Sequence, residues 1–342
     1  MHRTIRRALK ITGTIIVVLL VVLTIWFVSG EGKPAEEITW GVTFFPQQAT
    51  DLGLDWKEAY LALLDDMGAR RLRLAAPWNM VEQRRGQYDF GDIEWMLEQA
   101  ATRKATVSMA IGRKLFRWPE CHDPAWISDL TPEAFESGVL AFVRASVEKL
   151  GSHENIVSWQ VENEVTFPFG ECHAHKPTKE LFAQELALVR SLDPRPITST
   201  DSGELSSWLS INSGLDRYGI SLYRVTKNPN FGDIKFYYPL RPGFYRKKAS
   251  LSRALNPHIQ GIYLSELQLE PWTIKPIAET TLREQYDSMS FARMQSTIDF
   301  AAHTGFDEIY LWGAEWWYWL KKQHHDARYW NEAQELMYRG TK

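Results

Sequence analysis

From residue 38 onward, short apolar runs alternate with longer amphipathic ones eight times, and few folds accept that rhythm. Strands are predicted over 38–45, 71–75, 105–111, 156–161, 196–200, 218–223, 258–265 and 308–312, mostly dense in β-branched or aromatic residues. Helices are predicted over 55–67, 92–103, 132–150, 179–192, 203–210, 244–255, 281–303 and 327–338. Thr131 before Pro132 is a helix start, because the hydroxyl accepts a free backbone N–H and proline has none to leave unpaired. Residues 224–241 read as irregular. A regular strand–helix alternation implies a parallel sheet, since each helix returns the chain to the same end. Eight such units, with no second block of different composition, imply closure into a (β/α)8 TIM barrel. At 342 residues, 44% of them hydrophobic, the chain has enough apolar material for one large core.

Ahead of the barrel, residues 11–28 are uncharged and mainly apolar, a run long enough to cross a bilayer as a helix. Arg3, Arg6, Arg7 and Lys10 precede it with no acid between them, which holds residues 1–10 in the cytoplasm and sends the rest across. The run is expected to be a single transmembrane anchor, with a cleaved signal peptide as the alternative; no clear small-x-small cleavage site follows it. Residues 29–37 read as a polar linker and 38–342 as an exported barrel domain, expected to be monomeric. A net charge of −3 gives no basis for a nucleic-acid partner. Neither GxGxxG after a strand nor GxxxxGKS/T is present, so nucleotide-binding readings lack their motif.

The chemistry sits at strand ends. The fourth strand, Ile156-Val-Ser-Trp-Gln-Val, runs into Glu162-Asn163-Glu164, and the seventh runs into Leu-Ser-Glu266. In a parallel barrel the carboxyl ends of the strands face one another around the active site. Two carboxyl groups held there suit glycosidic cleavage, where one protonates the leaving oxygen and the other attacks the sugar carbon or activates water. Close approach also separates their pKa values, so that one stays protonated while the other is ionised. Glu164 and Glu266 fit these roles, and Asn163 can hold the sugar 2-hydroxyl. Glu162 is the competing acid, while Glu270 and Glu315 also stand near strand ends.

Asn163-Glu164 ending strand four and Glu266 on strand seven resemble the clan A glycoside hydrolases, the retaining barrels of cellulase, mannanase and β-galactosidase type. The resemblance implies that Glu164 is the acid/base and Glu266 the nucleophile. It further implies that Arg73, in Arg-Leu-x-x-x-Trp, keeps the nucleophile ionised, that Tyr223 hydrogen-bonds it, and that Trp312 forms the floor under the sugar. No cofactor or metal is needed for such chemistry. Ser221 stands two residues before Tyr223, where the cellulase-type pattern often has histidine, and no proline follows Glu164.

Trp78, Trp118, Trp126, Trp272, Trp316, Trp317 and Trp319 fall in expected loops. Two or three, Trp78 and Trp272 among them, are expected to touch sugar, because aromatic faces suit the C–H patches of pyranose rings. Cys121 and Cys172 lie in the loops after strands three and four and are candidates for a disulfide bracing the cleft. Two free thiols, or a metal site formed with His122, His173 and His175, are the alternatives. The expected function is retaining hydrolysis of a β-linked extracytoplasmic poly- or oligosaccharide. Transglycosylation and non-catalytic sugar binding are the competing readings.

Overall fold

A computed structural model describes residues 2–339, apart from residues 166, 169, 173, 174, 177, 210, 212, 229 and 231–233. Eight parallel strands close into a barrel, as the alternation demands: β1 (Thr39–Thr43), β2 (Arg71–Ala75), β3 (Thr106–Ile111), β4 (Ile156–Val161), β5 (Ile197–Asp201), β6 (Arg217–Leu222), β9 (Gly261–Gln268) and β10 (Glu308–Trp312), with β10 pairing back onto β1. Between β6 and β9 a small antiparallel hairpin, β7 (Val225–Lys227) with β8 (Lys235–Tyr237), replaces the expected irregular segment. The N-terminal helix α1 (His2–Val28) contains one stretch, Lys10–Val28, long and apolar enough to cross a membrane, and its side chains are exposed from Lys10 to Trp26.

Most of the outer ring follows the expected helices: α3 (Trp56–Asp65), α5 (Gly91–Thr102), α6 (Pro132–Leu150), α7 (Lys179–Leu192), α8 (Pro242–Leu255) and α12 (Arg328–Arg339). Thr131 caps α6 by accepting from the Ala134 N–H at 3.3 Å. The helix expected over 203–210 is not formed over 203–209, where a turn leads into irregular chain and Lys248 Nζ donates to the carbonyls of Gly203 and Ser206; residue 210 lies outside the described residues. The helix expected over 281–303 is two, α9 (Leu282–Ser288) and α10 (Phe291–Ala302), with Ser290 capping the second. Three helices were not anticipated: α2 (Pro46–Asp51), α4 (Trp78–Val81) and α11 (Ala314–Gln323).

Those unanticipated helices correct the aromatic expectations. Trp78 does not line a cleft. It is fully buried, stacked on Phe142 at 5.7 Å and edge-on to Trp126, with its indole N–H donating to Glu82 at 2.6 Å. Trp316, Trp317 and Trp319 lie on α11 and are buried in the core, where the N–H of Trp316 meets Gln285 and that of Trp317 meets the Leu269 carbonyl. A buried indole needs an acceptor for its one donor, and each of these two has one among the scaffold's own groups.

Small polar side chains line part of the barrel interior, and Tyr263 and Tyr310 meet at 6.0 Å in another part. Ser108 of β3 and Ser158 of β4 are hydrogen-bonded at 2.9 Å, and a Cβ on Gly219 would lie 2.9 Å from that of Ser265. The large residues of the same strands, such as Leu72, Trp159 and Val161, belong to the main apolar core. Burial of each contributes about 1.5–3 kcal/mol. Arg73 crosses the carboxyl end of this interior, fully buried and meeting Gln160 of β4.

Candidate active site

The carboxyl ends of β2, β4, β6 and β9 converge on Glu266. The register of β9 shifts against both neighbours: Ile220 pairs with Leu264 but Ser221 with Glu266, and Ile309 pairs with Leu264 but Leu311 with Leu267. One extra residue is therefore accommodated at Ser265–Glu266, and such a bulge re-aims the side chain it carries. Arg73 Nη1 donates to Glu266 Oε1 at 2.7 Å and the Tyr223 hydroxyl donates to Oε2 at 3.0 Å. Arg73 is fully buried and Glu266 is 6% exposed, so the pair sits in a low-dielectric place where each charge needs the other.

Arg73 also orders its neighbours. Its Nε donates to Gln160 Oε1 at 2.7 Å and its Nη2 to Asn163 Oδ1 at 2.8 Å. Guanidinium nitrogens only donate, so the Asn163 atom facing Arg73 is the oxygen. Thr200 donates to the same oxygen at 2.7 Å, which leaves the amide nitrogen as the group Asn163 can offer a ligand. The ring of Phe116 lies 4.0 Å from the Arg73 guanidinium and closes its other side.

Glu164 follows β4 with φ +46, in the left-handed region, and its N–H is held by the Thr200 carbonyl at 3.1 Å. Its carboxylate accepts from Ser221 at 3.0 Å, and Ser221 is the register partner of Glu266 on the adjacent strand. The two glutamates of the sequence reading are thus brought to neighbouring positions. Burial pushes the Glu164 carboxyl well above the usual range, and the charges of Glu120 and then Glu266 add to that. The arrangement favours a protonated Glu164 beside a Glu266 held by donors.

Glu162 is not in the acid's place. Its two oxygens accept from the N–H groups of Arg113 and Lys114, at 2.6 and 2.7 Å, so it clamps the loop after β3. Gly112 makes that clamp possible: its φ is +119, and a Cβ there would come within 2.3 Å of Glu162 Oε1. Behind the clamp, the carboxyl of Glu185 donates to Glu162, and burial, followed by the Glu162 charge, pushes Glu185 well above the usual range.

That loop brings in groups the sequence reading missed. Lys114 Nζ donates to the carbonyls of Glu164 and Phe167, at 2.8 and 2.9 Å, and pairs with Glu120 at 3.4 Å. Glu120 is almost fully buried, its Oε2 accepts no hydrogen bond, and burial pushes its carboxyl up to about 7. Cys121 next to it is disulfide-bonded to Cys172, with Cα atoms 5.2 Å apart. The bond removes both thiols from any metal site, and His173 lies outside the described residues. Only a loop with no helical or strand period carries Lys114 and Glu120, so spacing offered no signal for them.

Trp312 is 6% exposed and its indole N–H donates to Glu270 at 2.7 Å. Arg117 covers the ring and bridges Glu270 and Glu315. Glu270 and Glu315 are therefore buried ion-pair partners. Trp272 is half-buried and edge-on to Tyr223 at 5.4 Å, with its N–H on the Lys227 carbonyl. Trp126 is half-buried and donates to the Glu82 carbonyl, while Trp118 is exposed.

No family model matches the sequence, and no curated protein matches it. Solved structures match the fold. A β-galactosidase from Rahnella sp. R3 aligns with TM-score 0.59 and 13% identity, over 91% of this chain and 57% of that one. An exo-β-1,4-mannosidase from Opitutaceae bacterium strain TAV5 aligns with TM-score 0.54 and 15% identity, over 82% of this chain and 53% of the mannosidase. Xylanase 10B from Thermotoga petrophila RKU-1, solved with xylobiose, aligns with TM-score 0.53 and 16% identity, over 81% of this chain and 82% of that one. The chain spans little more than half the length of the mannosidase and the galactosidase. It has the barrel fold of these glycosidases.

Proposed function

We propose that the chain is a retaining glycosidase acting on β-linked sugars. One observation carries this reading: Glu266 accepts from Arg73 and Tyr223, while Glu164 is held beside it by Ser221, where burial and acidic neighbours push its carboxyl up. An ionised carboxylate and an un-ionised carboxyl side by side are what double displacement requires. The glycosidase names of the fold neighbours support the same reading.

In the first step a Glu266 oxygen bonds to the anomeric carbon as the bond to the leaving oxygen breaks, and that oxygen takes the Glu164 proton. In the second step Glu164, now a carboxylate, removes a proton from water. The water oxygen then bonds to the anomeric carbon and the ester to Glu266 breaks. Asn163 offers its amide N–H groups to the 2-hydroxyl, a contact that strengthens as charge develops on the ring. Tyr223, which donates to Glu266, and Trp272, edge-on to it, are the aromatic residues beside the nucleophile that a sugar could meet. The substrate is an extracytoplasmic poly- or oligosaccharide, and α1 is the anchor, oriented by Arg3, Arg6, Arg7 and Lys10 with the barrel outside.

The test is an anomer assay with the full chain on a panel of β-linked polysaccharides and aryl β-glycosides. Proton NMR follows the first product. A β-anomer released first, absent with Glu266→Ala and strongly slowed with Glu164→Ala, is the expected result. Inversion, or turnover without Glu266, refutes the assignment. Binding without turnover across the panel makes the barrel a sugar-binding protein.

A further inference from the structure

The charge of this chain is unevenly placed. Between Arg224 and His258 the sequence holds eight Lys or Arg and a single acid, Asp233, although the whole chain carries −3. Lys227 and Lys248 are buried and Lys235 pairs with Asp287, while Arg241, Arg246 and Arg253 are exposed and Lys247 partly so. The same stretch exposes large apolar side chains. Leu251 and Leu255 of α8 are 44% and 58% exposed, and Ile234, Phe236 and Tyr237 of the hairpin are exposed as well. Lys247, Leu251 and Leu255 fall on one stripe of α8, being four residues apart, with exposed Arg246 and Arg253 beside it.

The end of α1 docks beside this face. Phe27 packs edge-on against Phe244 at 5.5 Å, and Arg241 N–H donates to the Val28 carbonyl at 3.3 Å. Gly243 N–H donates to the Gly30 carbonyl, and Lys247 Nζ donates to the carbonyls of Trp26 and Ser29. Gly32, at φ +71, lies so close to His303 that a Cβ would sit 2.0 Å from its carbonyl oxygen. Residues 26–32 are thus seated on the barrel and do not form a free tether. If the apolar helix leaves a bilayer at Val28, the first turn of α8 is at the headgroup level, where Trp and Lys both suit the interface.

We infer that the exposed side of α8 together with the β7–β8 hairpin is a membrane-contact face that rests on an anionic lipid surface beside the chain's own anchor. The pattern is that of an interfacial helix, with apolar side chains dipping into the boundary while cations meet headgroup phosphates. The inference rests on the reading of α1 as a membrane helix.

The experiment reconstitutes the full chain in bilayer discs of anionic or zwitterionic phospholipid. A fluorophore is attached at Leu255→Cys, at Tyr237→Cys, or at Glu98→Cys on α5 across the barrel. Bromine-labelled acyl chains should quench the first two probes several-fold more than the third, more strongly in anionic discs, and less at high salt. Arg246→Gln with Arg253→Gln should abolish the anionic preference. Equal quenching at the three sites overturns the inference. Alkaline extraction, run in parallel, reports whether α1 is embedded. Should α1 prove to be cleaved, the released chain must still float with anionic vesicles at low salt, and failure to do so overturns the inference as well.

Discussion

Arg117 lies flat on Trp312, its guanidinium carbon 4.0 Å from the ring centre, and its nitrogens bridge Glu270 and Glu315. The indole face that the family resemblance assigns to a sugar is covered by a cation whose own partners are buried. The bridge ties β10 to the loop after β3, so it acts on the fold as well as on the cleft. Arg117→Ala leaves two buried carboxylates without their cation, held only by the N–H groups of Trp312 and Phe45, and should destabilise the protein by about 3–5 kcal/mol. Thermal melting checks this. Arg117→Lys, which has no planar fork, should recover only part of the loss.

On the proposed mechanism the two glutamates should fail differently. Glu266→Ala removes the nucleophile, and turnover of every β-glycoside should fall below detection. Glu164→Ala removes the proton donor, a contribution of about 10²–10⁴-fold. Aryl glycosides whose leaving group needs no proton should still form the glycosyl-enzyme in that variant. A burst of phenolate followed by slow release would be the signature in stopped-flow traces.

Glu120 should tune the acid. Its charge stands beside Glu164, and removing a negative neighbour makes a proton easier to lose. Glu120→Gln should therefore lower the Glu164 pKa and move the alkaline limb of kcat/KM to lower pH. A pH–rate profile with an unmoved limb would remove Glu120 from this role.

The Cys121–Cys172 bond ends the loop that carries Lys114, Arg117 and Glu120. Opening it frees a closed loop, for which about 2–4 kcal/mol is typical. Reductant, or Cys121→Ser with Cys172→Ser, should lower the melting temperature and reduce kcat more than KM, since the loop touches Glu164 directly through Lys114.

Burial, then the Glu162 charge, push the Glu185 carboxyl well above its usual range in the fold. With the folded value raised above about 4.3 in the open chain, its contribution to stability is complete below that value and is lost as pH rises through the folded value. Glu185→Gln should flatten the fall in melting temperature on the alkaline side. Urea midpoints across pH 5–9 would reveal a slope unchanged from wild type if Glu185 is not responsible.

The parts of this architecture that were legible have a period. Strands alternate with helices, Asn163-Glu164 follows β4, and Glu266 lies two residues inside the end of β9, where spacing predicts the strand to stop. The barrel and the placing of these side chains near its carboxyl end therefore follow from spacing. The missed parts depend on contacts between distant residues. Lys114 and Glu120 reach the site because Glu162 clamps the backbone of a loop 48 and 49 residues earlier in the chain. The aim of Glu266 depends on a bulge that alternation cannot reveal. Trp78 and Trp316 were misplaced because short helices at strand ends turned their rings toward the core.

The left-handed backbone of Glu164 also affects how this protein could be engineered. A non-glycine residue there carries strain of about 1–3 kcal/mol, and glycine or asparagine would relieve it. Heat selection without an activity screen would reward that change. The variants recovered would be sturdier barrels lacking the proposed acid/base carboxyl, so thermal tolerance and turnover should trade against each other at this one position.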